Sequence, residues 1–406
     1  MSLLDAARHR LEALAQAGLL RTPPEITSPQ GPFVTVDGRR LLCLCSNNYL
    51  GLADDPRLVE SLQRSLTQDG AGAGASRLIS GTMSAHRAAE RALADLVALP
   101  AALFFASGYA ANVGALQALF GPGDVIFSDA LNHASLIDGC RLSRARVVVF
   151  PHGDLGALAD LLRSERPLGA QAVIVTETIF SMDGDVADLR ALRALADAHD
   201  AALFVDEAHA LGVFGPQGGG YARAVGVVPD VLVGTLGKAL GTAGAFVAAA
   251  TELVRLVENR ARSFVFSTAT PPSLAAAAVT ATELVRDADA RRATLLSHAA
   301  HLRQRLRALG YAVPDGSTPI VPVLLGDPAT TVAVATALRA HGSFVQAIRP
   351  PTVPTGTSRL RVVPMATHTR AQLDEALEGF AAVRELAGIR PGAAPSAPRT
   401  PDEERP

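Results

Sequence analysis

The sequence predicts an α/β protein: a larger domain built on a mostly parallel sheet, followed by a smaller α+β domain. Three observations predict it. Between residues 101 and 247, seven short apolar runs alternate with stretches of helical periodicity. Each run is apolar on both faces, as a strand covered by helices must be. Beyond residue 273 the rhythm changes to a long helical stretch and then scattered strands and helices. The 406 residues, 49% hydrophobic and 19% charged, are enough for two to three domains of about 150 residues with substantial cores.

In chain order, MSLLDAARHRLEALAQAGLL reads as a short amphipathic helix. Asp5 and Glu12 set it apart from a signal peptide and from an acid-poor transit peptide. Strands are expected over 102–105, 125–127, 147–150, 172–175, 202–205, 231–233 and 245–247, with helices such as 110–119 and 189–199 between them. A helical stretch over 273–309 leads to strands at 320–325, 344–347 and 360–363 and helices at 329–341 and 370–387. The expected organisation is an N-terminal arm (1–55), a large domain (56–272), a small C-terminal domain (273–390) and a proline-rich, disordered tail (391–406).

Several function classes fall away on composition. The net charge of −2 leaves no basic excess to hold a phosphate backbone, so no nucleic-acid partner is expected. The apolar run 243–250 is cut by Thr251 and Glu252 well short of a membrane span, so no membrane partner is expected either. Cys43, Cys45 and Cys140 are odd in number and lack a C-x-x-C spacing. They read as buried thiols of a reducing, cytoplasmic setting.

All but one of the 37 basic residues are arginine; the exception is Lys238. Nucleotide composition produces such a bias, yet a position that kept lysine suits a task needing an amine that can deprotonate and attack, which a guanidinium cannot do. Polar residues gather where apolar runs end: Thr176, Glu177 and Ser181 after 172–175; Asp206, Glu207 and His209 after 202–205; Thr235 and Lys238 after 231–233. Ligands of open parallel sheets bind at the carboxyl ends of strands, so these clusters are expected to line one crevice.

Asp206-Glu207-Ala208-His209 suggests the acidic box of an NTPase, but no G-x-x-x-x-G-K-[ST] loop accompanies it, since position 232 is leucine and 239 alanine. Gly70, Gly72 and Gly74 miss the dinucleotide fingerprint and read as a loop. Asp206, His209 and His133 form too mixed a set for a metal site, and none is expected.

Pyridoxal phosphate (PLP) uses every remaining piece. Lys238 is the amine that bonds the cofactor aldehyde. Asp206 keeps the pyridine nitrogen protonated, making the ring an electron sink. His209 and Ser181 reach the ring oxygen. Ser107-Gly108-Tyr109 opens a helix whose N-terminus suits the phosphate. His133 stacks on the ring and handles protons.

TETIFSMDGD (176–185), VDEAHALG (205–212), GTLGKALG (234–241), STATPP (267–272), SNNYLGL (46–52) and NHASLIDG (132–139) resemble the α-oxoamine synthases over nearly the whole chain. The resemblance implies PLP-dependent transferase fold type I and a homodimer. With AIRPPTVPTGTSRLR (347–361), it implies decarboxylative condensation of L-alanine with a pimeloyl thioester, whether pimeloyl-CoA or a pimeloyl-acyl carrier protein. By motif it adds Thr235 to Gly108 and Tyr109 at the phosphate, and Ser267 and Thr268 at a partner subunit's phosphate. It assigns Arg361 to the amino-acid carboxylate, and Arg21, Asn47, His133, Arg349 and Thr352 to the substrates. Ala210-Leu211 and Ala243 depart from the family pattern and are expected beside the substrate channel. The alternatives are a sister synthase using glycine or serine with another acyl-CoA, such as a 2-amino-3-ketobutyrate ligase, and a PLP-fold protein that only binds ligand.

Overall fold

The seven apolar runs form one sheet, in the order Ala101–Phe105, Ala245–Ala249, Val231–Thr235, Ala202–Asp206, Ala172–Glu177, Val125–Asp129 and Arg146–Phe150. The structure is a computed structural model and describes residues 1–167 and 169–389, so the tail expected at 391–406 lies outside the described residues. Six strands run in one direction; Ala245–Ala249 is antiparallel to both its neighbours. The central strands are buried along their whole length, as their unbroken apolar sequences require. Phe105, Val173, Phe204, Val233 and Val247 pack with Leu116, Val257 and Phe264 in one core.

Parallel pairing aligns the strand ends. Glu177 stands opposite Asp206, and Asp206 opposite Val233. The loops bearing Ser107, His133, Ser181, His209 and Lys238 therefore all leave the same edge of the sheet.

Two compact units divide the chain. The larger holds Asn47–Ser181 and Asp185–Thr294; the smaller holds Met1–Ser46, Met182–Gly184 and the chain from Leu295 on. The boundary expected at 272, where the sequence rhythm changes, falls at the start of the helix Pro272–Arg286, which packs on Pro56–Asp69 and Ser84–Val97 of the larger unit. The expected continuous helix over 273–309 is two helices, Pro272–Arg286 and Asp289–Ala308. Buried Arg292 reaches back across the break to the Val285 carbonyl at 2.6 Å, satisfying an end that helix geometry leaves open.

In the smaller unit, Val321–Gly326 and Gln346–Ile348 flank Ser358–Val362 in an antiparallel sheet. The strand expected over 344–347 is split. Ser343–Phe344 joins a second sheet beside Arg39–Cys43, and Gln346–Ile348 joins the first. That second sheet contains a hairpin, Phe33–Val36 with Arg39–Cys43, turned at Asp37-Gly38 with both residues at positive φ. Its signal was in the sequence, since a D-G pair between alternating apolar residues marks such a turn. The N-terminal helix forms over Leu3–Gln16, capped by Ser2 and Asp5, with no buried residue. All three thiols are free; Cys43 and Cys140 are buried, while Cys45 is only half-buried.

Candidate active site

Asp206 ends its strand buried, with its carboxylate held from two sides. Oδ1 accepts from the Ala208 amide at 2.8 Å, and Oδ2 from Asn112 Nδ2 at 2.6 Å. Asn112 is the polar residue on the buried side of the apolar helix Gly108–Leu119. Its second amide hydrogen goes to Ser135 Oγ at 2.9 Å. Ser135 Oγ, accepting there, lies 2.8 Å from His133 Nδ1 and has its own hydrogen to donate to it. The Ser135 amide donates to the same nitrogen at 3.2 Å. A line of hydrogen bonds thus runs from Asp206 to His133 and leaves the His133 hydrogen on Nε2. Desolvation by burial lowers the His133 pKa, with Asp206 pulling it up and Lys238 pushing it down, and the net shift is downward, toward the neutral ring.

Lys238 sits in a tight loop after Val231–Thr235, closed by Leu236 N–H to Gly244 O (2.9 Å) and Gly241 N–H to Lys238 O (3.0 Å). Its Nζ lies 2.8 Å from His209 Nε2. His209 is buried, and its Nδ1 meets the hydroxyl of Tyr49 at 2.6 Å. Tyr49, inside the SNNYLGL motif, had not been assigned a role from sequence.

Two further acids end these strands with different fates. Glu177 is buried, and desolvation together with the neighbouring Asp206 charge pushes its pKa up to about 8, so it is neutral at pH 7. Glu207, also buried and raised to about 7, accepts from the Tyr221 and Ala222 amides at 2.7 and 2.8 Å and so caps the helix Tyr221–Val225. It is a structural acid.

His152 is clamped between Asp129 Oδ1 (2.9 Å) and Asp185 Oδ2 (2.8 Å), next to a cavity of about 160 Å³. Burial alone would lower its pKa, but the two carboxylates outweigh burial and raise it to about 10. A histidine whose pKa rises on folding from 6.5 stabilises the fold fully below pH 6.5, and that contribution disappears as pH climbs through 10. Thermal unfolding between pH 6.5 and 10 is expected to show a falling midpoint in the parent, and a flatter profile in His152→Gln. Equal slopes would contradict the assignment.

Gly108 begins the helix Gly108–Leu119, with Ser107 capping it through the Ala110 amide. The Gly108 and Tyr109 amides are first-turn donors that helix geometry leaves without an internal acceptor. A Cβ on Gly108 would stand 4.0 Å from Thr235 Oγ1, so that hydroxyl is beside the helix start. The Tyr109 side chain is 49% exposed, and its hydroxyl donates to Asp138 at 2.7 Å. Ser181 is half-buried in the turn after Glu177. Ser267 and Thr268 are exposed, in a segment bridged to Ser76.

The remaining sequence-derived residues group by unit. Asn47 belongs to the larger one, with Oδ1 3.4 Å from the Tyr49 hydroxyl. Arg21, Arg349 and Thr352 come together in the smaller one. Arg21 donates to Thr352 Oγ1 at 3.0 Å, Arg349 donates to the Gly18 and Leu20 carbonyls, and all three line a cavity of about 510 Å³ with Arg339. Arg361 is buried on the strand Ser358–Val362, and its neighbour Arg359 pairs with Asp183. Ala210 and Leu211, expected beside a channel, are core residues instead. Leu211 packs at Gly234, where any side chain would collide with the Phe246 ring. Ala243 is exposed in the Lys238 loop. Among the described residues, no helix is long and apolar enough to cross a membrane.

Comparison with known proteins adds a family match, two relatives and two solved structures. The family model for aminotransferase class I and II matches residues 39–380. The chain is 52% identical over 394 residues to 8-amino-7-oxononanoate synthase of Anaeromyxobacter sp. (strain Fw109-5), covering 97% of this chain and 98% of that one. It is 48% identical over 383 residues to the protein of that name from Geobacter sulfurreducens, covering 93% and 98%. Among solved structures it is similar to serine palmitoyltransferase from S. paucimobilis with bound PLP-myriocin aldimine, with a TM-score of 0.91, 32% identity, and 96% and 100% of the two chains covered. It is also similar to 8-amino-7-oxononanoate synthase from Francisella tularensis, with a TM-score of 0.74, 26% identity, and 86% and 99% covered.

Proposed function

The chain belongs to the aminotransferase class I and II family, and we propose that within it this protein is a PLP-dependent acyltransferase of biotin synthesis. It condenses L-alanine with a pimeloyl thioester to 8-amino-7-oxononanoate, carbon dioxide and free thiol. The observation that carries this reading is the single lysine, set 2.8 Å from a buried histidine at the strand edge that Asp206 also ends, in a chain half identical to proteins of that name.

The residues present fit the cofactor. Asp206 offers a fixed carboxylate to a protonated ring nitrogen, and Gly108, Tyr109 and Thr235 offer amides and a hydroxyl to a phosphate. Asn112 Oδ1 and Glu177 Oε1, both buried near Asp206, have no partner among the described residues, consistent with polar contacts still to be made there. When bound, the cofactor supplies an electron sink for the charge that develops at the alanine Cα.

The chain's own groups do the rest. Lys238 Nζ would hold the cofactor at rest and, once displaced from it by the alanine amine, would be free to accept the Cα proton. The His133 imidazole would stack on the cofactor ring, with its Nε2–H available to donate toward the thioester oxygen. His209 and Ser181 hold the ring oxygen. Arg361 grips the alanine carboxylate with its two-pronged guanidinium and so fixes which Cα bond reacts. Arg21, Asn47, Arg349 and Thr352 border the acyl substrate. Ser267 and Thr268, exposed beside the 73%-exposed Phe266, take the phosphate bound by a second copy, so the working form is a homodimer in the cytoplasm.

Visible absorbance of the PLP-loaded protein, with released thiol followed in parallel, tests the reading. A band that shifts with L-alanine, and thiol release that needs both L-alanine and pimeloyl-CoA, is the expected result. A band that responds to glycine or serine but ignores alanine would move the substrate to a sister synthase. Failure to take up PLP would end the proposal.

A further inference from the structure

We propose that His152 is a positioning residue: its ring, bonded to Asp129 on one side and to Asp185 on the other, ties the turn that leads to His133 to the turn that carries Ser181.

The three residues follow three neighbouring strands of the large sheet. Asp129 ends Val125–Asp129, His152 lies just beyond Arg146–Phe150, and Asp185 lies beyond Ala172–Glu177. His152 Nδ1 is 2.9 Å from Asp129 Oδ1, and Nε2 is 2.8 Å from Asp185 Oδ2. An ionised carboxylate only accepts, so each ring nitrogen carries a hydrogen and donates it. Burial opposes the resulting charge, and the two carboxylates outweigh burial.

Each carboxylate belongs to a turn beside the candidate site. Asp129 Oδ1 also accepts from the Leu131 amide at 2.8 Å, and Oδ2 from the Gly153 amide at 3.3 Å. The Asp129 carbonyl accepts from the Asn132 amide at 3.2 Å. Asn132 Nδ2 fastens the same turn to Ser128 Oγ and to the Val175 carbonyl. His133 comes next and caps the helix Ala134–Ser143. On the other side, the Asp185 carbonyl accepts from the Phe180 amide at 3.1 Å, and Ile179 bridges Val186. The Phe180 ring stands edge-on to the His152 ring at 4.4 Å, and Ser181 follows it directly. Packing does not replace the link, because Asp129, His152, Phe180 and Asp185 line a cavity of about 160 Å³ that leaves both turns room to move.

The link stands on these contacts, whereas its consequence for catalysis rests on the proposed function, in which His133 lies on the cofactor ring and Ser181 meets its oxygen. Two substitutions cut one bond each. Counted from Cβ, the amide nitrogen of asparagine stands where Nδ1 does, and that of glutamine where Nε2 does. His152→Asn therefore keeps the bond to Asp129 and loses the one to Asp185; His152→Gln does the reverse.

Hydrogen exchange of protein prepared without PLP, read by mass spectrometry of its peptides, tests the link. In His152→Gln, amides of 130–133 are expected to exchange about tenfold faster or more, with 178–181 near the parental rate. In His152→Asn and in Asp185→Ala the pattern is expected to reverse. Peptides holding Gly108 and Lys238 serve as controls and stay parental. Parental rates in both turns, or equal acceleration of both in every variant, would overturn the proposal. Should the His152 variants loosen the controls as well, Asp185→Ala decides, since that residue is only half-buried. Faster exchange confined to 178–181 upholds the link, and parental rates there overturn it.

In PLP-loaded protein, His152→Gln is expected to lose about tenfold in kcat, with KM for L-alanine and pimeloyl-CoA near the parental values. The visible circular dichroism of the bound cofactor is expected to weaken, which a loss of stability alone would not produce. Parental kcat and dichroism in a variant whose 130–133 turn is loosened would overturn the catalytic consequence. A parent that never takes up PLP would defeat the proposed function and leave the exchange result standing.

Discussion

Lys238→Ala is expected to fold like the parent yet lose turnover on the order of 10³-fold or more, because no other side chain on this chain is a primary amine. Its loop is closed by backbone hydrogen bonds around Leu236, Gly241 and Gly244 that do not involve the side chain, so truncation leaves the loop intact. Lys238→Arg separates charge from chemistry. It keeps a cation beside His209 but cannot give up a proton near neutral pH, and is expected to be as inactive as the alanine variant. Borohydride reduction followed by mass spectrometry checks the same point: the parent gains one cofactor mass on the peptide containing Lys238, and neither variant does. Turnover within tenfold of the parent in either variant would remove Lys238 from the chemistry.

Asp206→Asn is expected to lower kcat by about 10²- to 10³-fold, the usual cost of removing one preorganised electrostatic partner from a water-poor site. The substitution keeps the shape and the Ala208 amide contact, but it loses the charge and turns an amide toward Asn112 Nδ2, a second donor. Glu177 gives this variant a further signature. Its pKa is raised to about 8, first by burial and then by the Asp206 charge alongside it. Once that charge is gone the Glu177 pKa falls and its ionised form becomes more accessible, partly replacing the lost carboxylate. The double variant Asp206→Asn/Glu177→Gln is therefore expected to be slower than Asp206→Asn, while Glu177→Gln alone stays close to the parent, since it replaces one neutral group with another. Steady-state kinetics on the four proteins completes the cycle. A Glu177→Gln variant as impaired as Asp206→Asn would show that Glu177 carries the working charge.

These two predictions draw on residues of unequal legibility. Lys238 stood out by being the only one of its kind, and Asp206 and His209 by closing an apolar run with polar residues. The seven strands were legible for the same kind of reason: a strand covered on both faces must be apolar throughout, and such runs occur nowhere else at that spacing. The small-domain strand at 344–347 was misjudged because a two-residue strand carries too little periodicity to reveal that the chain changes sheets at Val345. The helix break at 287–288 escaped because it is closed by Arg292, a residue whose reach backward along the chain no local pattern encodes. Ala210 and Leu211 were assigned to a channel by motif position, although their apolar character is that of the core they occupy.

Sequence alone determined which groups this protein has to work with and which edge of the sheet presents them, because strand burial and strand-end polarity are local properties of the chain. The tertiary structure alone decided how those groups are tuned. Asn112 meets Asp206 across 94 positions, and Tyr49 meets His209 across 160. Burial, with the sheet register that sets Asp206 alongside, raises the Glu177 pKa to about 8. Contacts of this kind depend on which loops pack together, and the position of a hydrogen or a charge follows from the contact rather than from the residue type.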